Sequence, residues 1–295
     1  MGLGPPLFTL LKFMHDQNLF RDITSVAEIG SQEYDTKVAH YDGFLERFLG
    51  SVGASVPASR DPETGRYKAP AHELFRRLGC EYVSFDIDGR FGSIPFDLNF
   101  DTLKEEYRGW AGLTTNLGTT EHVFNQVGCF KVIHDLTRQG GLMLHALPLH
   151  NNINHGLFSY SPCLFEALAE ANGYELLGSW MTCKPDHHRL PPSRAPYPSA
   201  RTLLLVLLQR LSDAEFVLPL QLSNPMQVHE QLEDRYKVTE RRAAGAASRV
   251  RYDGVIDIDL DTFTSMLVTD YQPPPAKPPK SSAKQAGDKP PKSKP

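Results

Sequence analysis

The feature that most constrains the fold is an alternation running through residues 23–211, where short apolar runs are separated by stretches with helical spacing. The runs are DITSVAEIG, EYVSFDID, WAGLTTNLG, LMLHALPL, YELLGSWMTC and ARTLLLVLLQRL. Between them lie VAHYDGFLERFLG, AHELFRRLG, EHVFNQVGCFKVIHDLTRQ and SPCLFEALAEANG. Strands that are almost continuously apolar are buried on both faces, which requires helices above and below a mostly parallel sheet. The expected fold class is therefore α/β: a doubly wound, mostly parallel sheet with helices on both faces. An N-terminal helical segment, residues 1–22, precedes this domain. A C-terminal extension, residues 212–271, follows it, with a polar helical stretch HEQLEDRYKVTERRAAGAA and an alternating run VIDIDLDTF that reads as an edge strand. The Pro-, Gly- and charge-rich residues 51–69 read as a surface loop between the first two strands.

Charge narrows the class of substrate. Residues 272–295 hold six lysines against the single Asp288, a tail of +5, so a whole-chain charge of −4 leaves the body at −9. The tail has no large apolar residue and is expected to be a disordered Pro/Lys-rich end. An acidic body lacks the basic footprint of a nucleic-acid site, so no nucleic-acid partner is expected. The longest apolar run, Leu203–Leu208, is far below the roughly 18 residues of a membrane span. MGLGPPLFTLLKFMHD lacks a basic start and a cleavage site, and Pro6 stands where a myristoylation signal wants Ser or Thr. The expected location is cytoplasmic. Cys80, Cys129, Cys163 and Cys183 show no CxxC spacing and are expected to be reduced and buried.

The turn after the first strand, VAEIGSQEYD, decides between cofactor classes. A dinucleotide fold wants GxGxxG here and an acid about 20 residues on. This turn has the single glycine Gly30, and the next strand's acid is Asp86, far beyond that spacing from Glu28. The pyrophosphate cradle is absent.

An acid before one glycine suits a ligand with a cationic sulfonium and an amino-acid end. At AEIGSQ and SFDID the chain resembles the class I S-adenosylmethionine-dependent methyltransferases of the small-molecule type. LTTNLGTTEHVFNQ and LTRQGGLMLHALP extend the likeness over roughly residues 20–211. The resemblance implies S-adenosylmethionine as cofactor and an enzyme. It places Glu28 at the turn and the methionine end, with Gly30 and Ser31 allowing close approach of the cofactor. Asp86 takes the ribose hydroxyls, with Asp88 as competitor, because a carboxylate accepts two hydrogen bonds from a diol. Asp97 and the Leu98 backbone take the adenine, and Asn116 and Gly118 lie beneath the sulfonium. The family's second glycine is missing, since Gln32 is followed by Glu33. That departure, with the Lys/Pro tail, also fits a non-catalytic binding or scaffold module of the same fold.

Methyl transfer is an in-line displacement, so placement of the acceptor carries most of the rate and a base is optional. Glu121 and His122 are expected to open the helix after the fourth strand, facing cofactor and acceptor. LHNNINHGLFSY adds His150, Asn151, Asn154, His155 and Tyr160 at the substrate edge, of which His155 is the third candidate catalytic residue. His145, inside LMLHALP, reads as a buried strand histidine. The adjacent His187 and His188 would point to opposite faces of a strand, and Asp257, Asp259 and Asp261 lack the glycine and distal glutamate of a calcium loop, so no metal site is expected. The expected activity is methyl transfer to an oxygen or nitrogen of a small molecule.

Overall fold

A computed structural model of the chain describes residues 3–35, 42–55, 63, 67–152, 154–183, 202–220, 232, 234–236, 252–259 and 264–268. The Lys/Pro tail, His187, His188, most of the polar helical stretch and most of the loop at 51–69 lie outside the described residues.

The elements follow the expected alternation. Helix α1 (Pro5–Asp16) precedes β1 (Ser25–Ile29), short β2 (Glu33–Asp35), α2 (Asp42–Ser51), short β3 (Lys68–Pro70) and α3 (Ala71–Arg77). Then come β4 (Glu81–Asp86), two-residue β5 (Ile94–Pro95), β6 (Ala111–Asn116), α4 (Gln126–Leu136), β7 (Thr137–His150) and α5 (Pro162–Asn172). Strands β8 (Tyr174–Cys183), β9 (Thr202–Arg210), β10 (Tyr252–Asp259) and β11 (Thr264–Val268) follow among the described residues.

One nine-stranded sheet runs β5-β4-β1-β6-β7-β9-β8-β10-β11, and β2 and β3 form a separate antiparallel pair. Within the large sheet β9 is antiparallel to β7 and β8, and β11 to β10; the other neighbours are parallel. This is the doubly wound α/β fold. From β1 the chain moves outward through β4 and β5, then returns to the other side of β1 for β6 and β7. The order therefore reverses between β1 and β6, and a crevice opens there outside the carboxyl ends of the strands. The VIDIDLDTF run forms most of β10, which pairs with β8 on one side and β11 on the other, so the edge belongs to β11.

Strand alternation sorts side chains into two cores. Leu142, Leu144 and Leu205 face α1, α2 and α3, meeting Leu11, Phe48 and Phe75. Met143, Leu147 and Leu204 face α4 and α5, meeting Ile133 and Phe165. A strand buried on both faces needs apolar residues at odd and even positions alike, which is why these runs do not alternate with polar residues.

Two local expectations change. EHVFNQVGCFKVIHDLTRQ is not one helix: Thr120–His122 form a single 3-10 turn, and α4 starts anew behind Asn125, whose side chain accepts the Gly128 N–H (2.9 Å). It stops at Leu136, where Thr137 turns extended and its hydroxyl donates back to the Ile133 carbonyl (2.7 Å). At the amino end of β7, Arg210, almost fully buried, closes α4. Its Nη1 donates to the carbonyls of His134 (2.9 Å) and Thr137 (2.7 Å), and Nε and Nη2 to those of Ser212 (2.8 Å) and Ala214 (3.2 Å). Cys80 and Cys129 are buried free thiols as expected, but Cys163 is exposed, because it falls on the outward side of the first turn of α5.

Candidate active site

The β1 turn is held by side chains. Glu28 is wholly buried; its Oε2 accepts the Gln32 N–H (2.9 Å) and the Tyr82 hydroxyl, and Thr115 Oγ1 lies 3.5 Å from Oε1. Asp86, ending β4, accepts from Ser31 twice through Oδ2, from the backbone N–H (2.6 Å) and the hydroxyl (2.9 Å). Gly30 has φ +79, and a Cβ placed on it would stand 2.0 Å from Thr119 Oγ1. The single glycine is thus required by the close crossing of the β1 and β6 turns.

Burial pushes the Glu28 carboxyl up to about 7, against the hydrogen bonds from Tyr82, Gln32 and Thr115, which pull it down. The folded state therefore holds this proton more tightly than the unfolded chain. The stability this contributes is complete below about pH 4.5 and lost as pH rises through about 7. Glu28→Gln stays neutral, so its stability relative to the parent should rise by about 3 kcal/mol between those pH values. Urea unfolding at pH 4.5, 6 and 8 measures the difference, and a pH-independent difference would show that burial does not disfavour the Glu28 charge. His134 and His145, pushed down by burial to about 4 and about 3, oppose this trend in both proteins. Their contribution is lost as pH falls from about 6.5 through those values, and it cancels in the comparison.

A cavity of about 380 Å³ opens at the switch point, large enough for a small-molecule ligand. Its wall includes Asp86, Asp97, Leu98, Gly118 and His122 from the expected set. Glu28, Gly30, Ser31 and Asn116 shape the turns behind it without lining it. Asn116 is fully buried, its Nδ2 donating to Thr120 Oγ1 (2.9 Å) and meeting His145 Nδ1 at 3.2 Å. His145 is the buried strand histidine that its setting predicted. Asp97 Oδ1 accepts the Asn99 N–H (2.8 Å), pinning the loop that carries Leu98.

Sequence reasoning missed Ile87, Thr119 and Gln32. Ile87 is 72% exposed yet borders the cavity directly after Asp86. An isolated apolar residue following a strand-end acid was the available signal. Thr119 and Gln32, joined by Nε2–H···Oγ1 (3.2 Å), carried none, since their meeting depends on how two turns cross.

The three expected catalytic residues come together beside this cavity. Glu121 and His122 sit in the 3-10 turn instead of opening a helix. His155 arrives from the loop after β7, where the Leu157 N–H (2.6 Å) and the Phe158 N–H (3.2 Å) both bond the Glu121 carbonyl. Gly156 permits this approach: at φ +73, its Cβ would meet Glu121 Cγ at 2.8 Å. Glu121 Oε1 lies 3.5 Å from His155 Nε2 and 3.9 Å from His122 Nε2. Glu121 is fully buried, and neither carboxylate oxygen has a hydrogen-bond partner among the described residues. Tyr160 is buried, its hydroxyl bonding Gln126 Oε1 (2.8 Å) and Thr120 Oγ1 (3.1 Å), and so anchors the loop to the turn. A second cavity, about 310 Å³ against α4 and α5, has no carboxylate, histidine or lysine in its wall.

No family model and no curated protein matches the chain. Solved structures do. One is the Burkholderia thailandensis 1,6-didemethyltoxoflavin-N1-methyltransferase with bound 1,6-didemethyltoxoflavin and S-adenosylhomocysteine: 10% identical, TM-score 0.35, 70% of this chain and 78% of that one covered. A SAM-dependent methyltransferase from Archaeoglobus fulgidus is 12% identical, TM-score 0.37, with 68% and 94% covered. A SAM-dependent methyltransferase of Thermotoga maritima, a possible histamine N-methyltransferase, is 11% identical, TM-score 0.33, with 70% and 91% covered. These are partial likenesses, and the fold assignment stands on the strand order. No described helix is long and apolar enough to cross a membrane.

Proposed function

We propose that the chain is an S-adenosylmethionine-dependent methyltransferase acting on an oxygen or nitrogen of a small molecule. The observation that carries this reading is the switch-point cavity walled by Asp86, Asp97, Leu98 and Gly118, with a carboxylate–imidazole cluster at its side. The residues fit the cofactor. Ile87 offers an apolar face to a base, Asp86 a carboxylate to a diol, and the Asp97–Leu98 turn a carboxylate to an exocyclic amine and a backbone N–H to the neighbouring ring nitrogen. Gly118, at φ +87, lines the cavity without a side chain. Glu28, Gly30 and Ser31 hold the turn over which the methionine end would lie, and Asn116 fixes the end of β6, which would lie below the sulfonium. Bound S-adenosylmethionine supplies an electrophilic methyl group on a cationic sulfur. The chain's own part is to orient the acceptor and manage its proton, a task for Glu121, His122 and His155. The buried free thiols support a cytoplasmic setting.

Calorimetric titration with S-adenosylmethionine and S-adenosylhomocysteine tests this reading. Micromolar binding of both is expected, weakened at least tenfold in Asp86→Asn, on the scale of a lost hydrogen bond to a charged group. Heats indistinguishable from dilution for both ligands would exclude it. A second reading, a non-catalytic module, is favoured by the commitment of Asp86 Oδ2 to Ser31. Binding without demethylated product across a panel of phenols, amines and hydroxy acids would select it.

A further inference from the structure

Outside the cavity itself, the least explained group is Glu121: a carboxylate with no exposed surface, both oxygens without a hydrogen bond among the described residues, facing two imidazoles. A buried charge is normally paired, hydrogen-bonded or bound to a metal, because desolvation without compensation is costly. The imidazole nitrogens stand 3.5 Å and 3.9 Å from Oε1, beyond the usual N–H···O range. They are close to another spacing. Two donors each about 2.0–2.1 Å from one tetrahedral ion lie roughly 3.4 Å apart. One ligand atom from each of Glu121, His122 and His155 fits within 4.8 Å of the others.

We propose that Glu121, His122 and His155 form a binding site for one divalent transition-metal ion. Two imidazoles and one carboxylate suit zinc, and three protein ligands leave a position for an exogenous ligand, the pattern of catalytic zinc sites. The loop geometry serves this assembly: Gly156 and the two N–H bonds to the Glu121 carbonyl lock His155 over a carboxylate in a separate turn. His122 also belongs to the cavity wall, which puts the open position beside the switch-point cavity.

The use of the ion rests on the methyl-transfer reading, whereas its binding does not. A Lewis acid there lowers the pKa of an acceptor hydroxyl. The hydroxyl proton then passes to solvent, the oxygen–methyl bond forms as the carbon–sulfur bond breaks, and the electron pair stays on sulfur. The substrate class narrows accordingly to acceptors with a weakly acidic hydroxyl.

The test is calorimetric titration of the EDTA-treated, buffer-exchanged full chain with zinc chloride, and visible spectroscopy with cobalt chloride. One ion per chain is expected, with affinity reduced at least tenfold in Glu121→Gln and in His155→Ala, a loss at least as large as second-shell changes produce. His155 is partly exposed, so its variant remains informative should Glu121→Gln fail to fold. A variant with His187→Ala and His188→Ala should bind zinc as the parent does. Absence of stoichiometric binding, parental affinity in both site variants, or loss of binding in the His187/His188 variant would each overturn the proposal. Titration of S-adenosylmethionine in the presence of EDTA separates the two readings. Cofactor binding without zinc binding removes only the metal site, and zinc binding without cofactor binding removes only the methyl-transfer reading.

Discussion

Arg210→Met should lower stability by about 3–5 kcal/mol, the largest effect expected of any single change considered for this chain. The guanidinium is the partner of four carbonyls, two of which, those of His134 and Thr137, belong to the end of α4 and the start of β7. Methionine fills much of the volume but donates nothing, so buried acceptors lose their partners while the apolar packing is retained. Arg210→Lys should recover less than half of the loss, because an ammonium lacks the planar fork that reaches carbonyls on several sides at once. Urea unfolding followed by circular dichroism measures both, and the melting temperature of the methionine variant should fall by about 10 °C. A change below about 1 kcal/mol would mean that water replaces the guanidinium at these carbonyls.

Gly30→Ala comes second, at about 3 kcal/mol. About 1 kcal/mol comes from placing alanine at φ +79, and the remainder from forcing Thr119 away, since its Oγ1 would stand 2.0 Å from the new Cβ. Moving Thr119 also breaks its hydrogen bond with Gln32, so the cavity wall should deform and binding of the proposed cofactor should fall with stability. Adding Thr119→Ala should restore about 2 kcal/mol, a coupling that a double-mutant cycle resolves. An additive cycle would show that the cost is backbone strain alone, with no steric part.

These two residues differ in legibility. The sequence marks Gly30 for the approach of a ligand, and the close crossing of Thr119 supplies a second and sufficient reason for glycine there. Arg210 sits at the end of ARTLLLVLLQRL and reads as an ordinary polar strand terminus. Its carbonyl partners at 134 and 137 are distant in sequence, and no local pattern encodes that meeting. The break between Thr120–His122 and α4 was hidden because helical spacing continues across Asn125, which instead starts a new helix as its cap. Helical spacing likewise extends over Glu121 and His122, which the structure sets in a 3-10 turn against His155.

What the sequence alone determined is the layered α/β architecture, the approximate limits of most elements, and the failure of a dinucleotide cradle. Each follows from periodicity or turn chemistry, which are short-range and survive in one dimension. The tertiary structure decided which strand is the edge among the described residues, that the Glu28 carboxyl is enclosed and its proton held, and that Glu121 faces His122 and His155 without a hydrogen bond among the described residues. Burial, desolvation and convergence depend on what lies across the sheet, and the free energy of a charged group is set by those neighbours and not by its place in the chain.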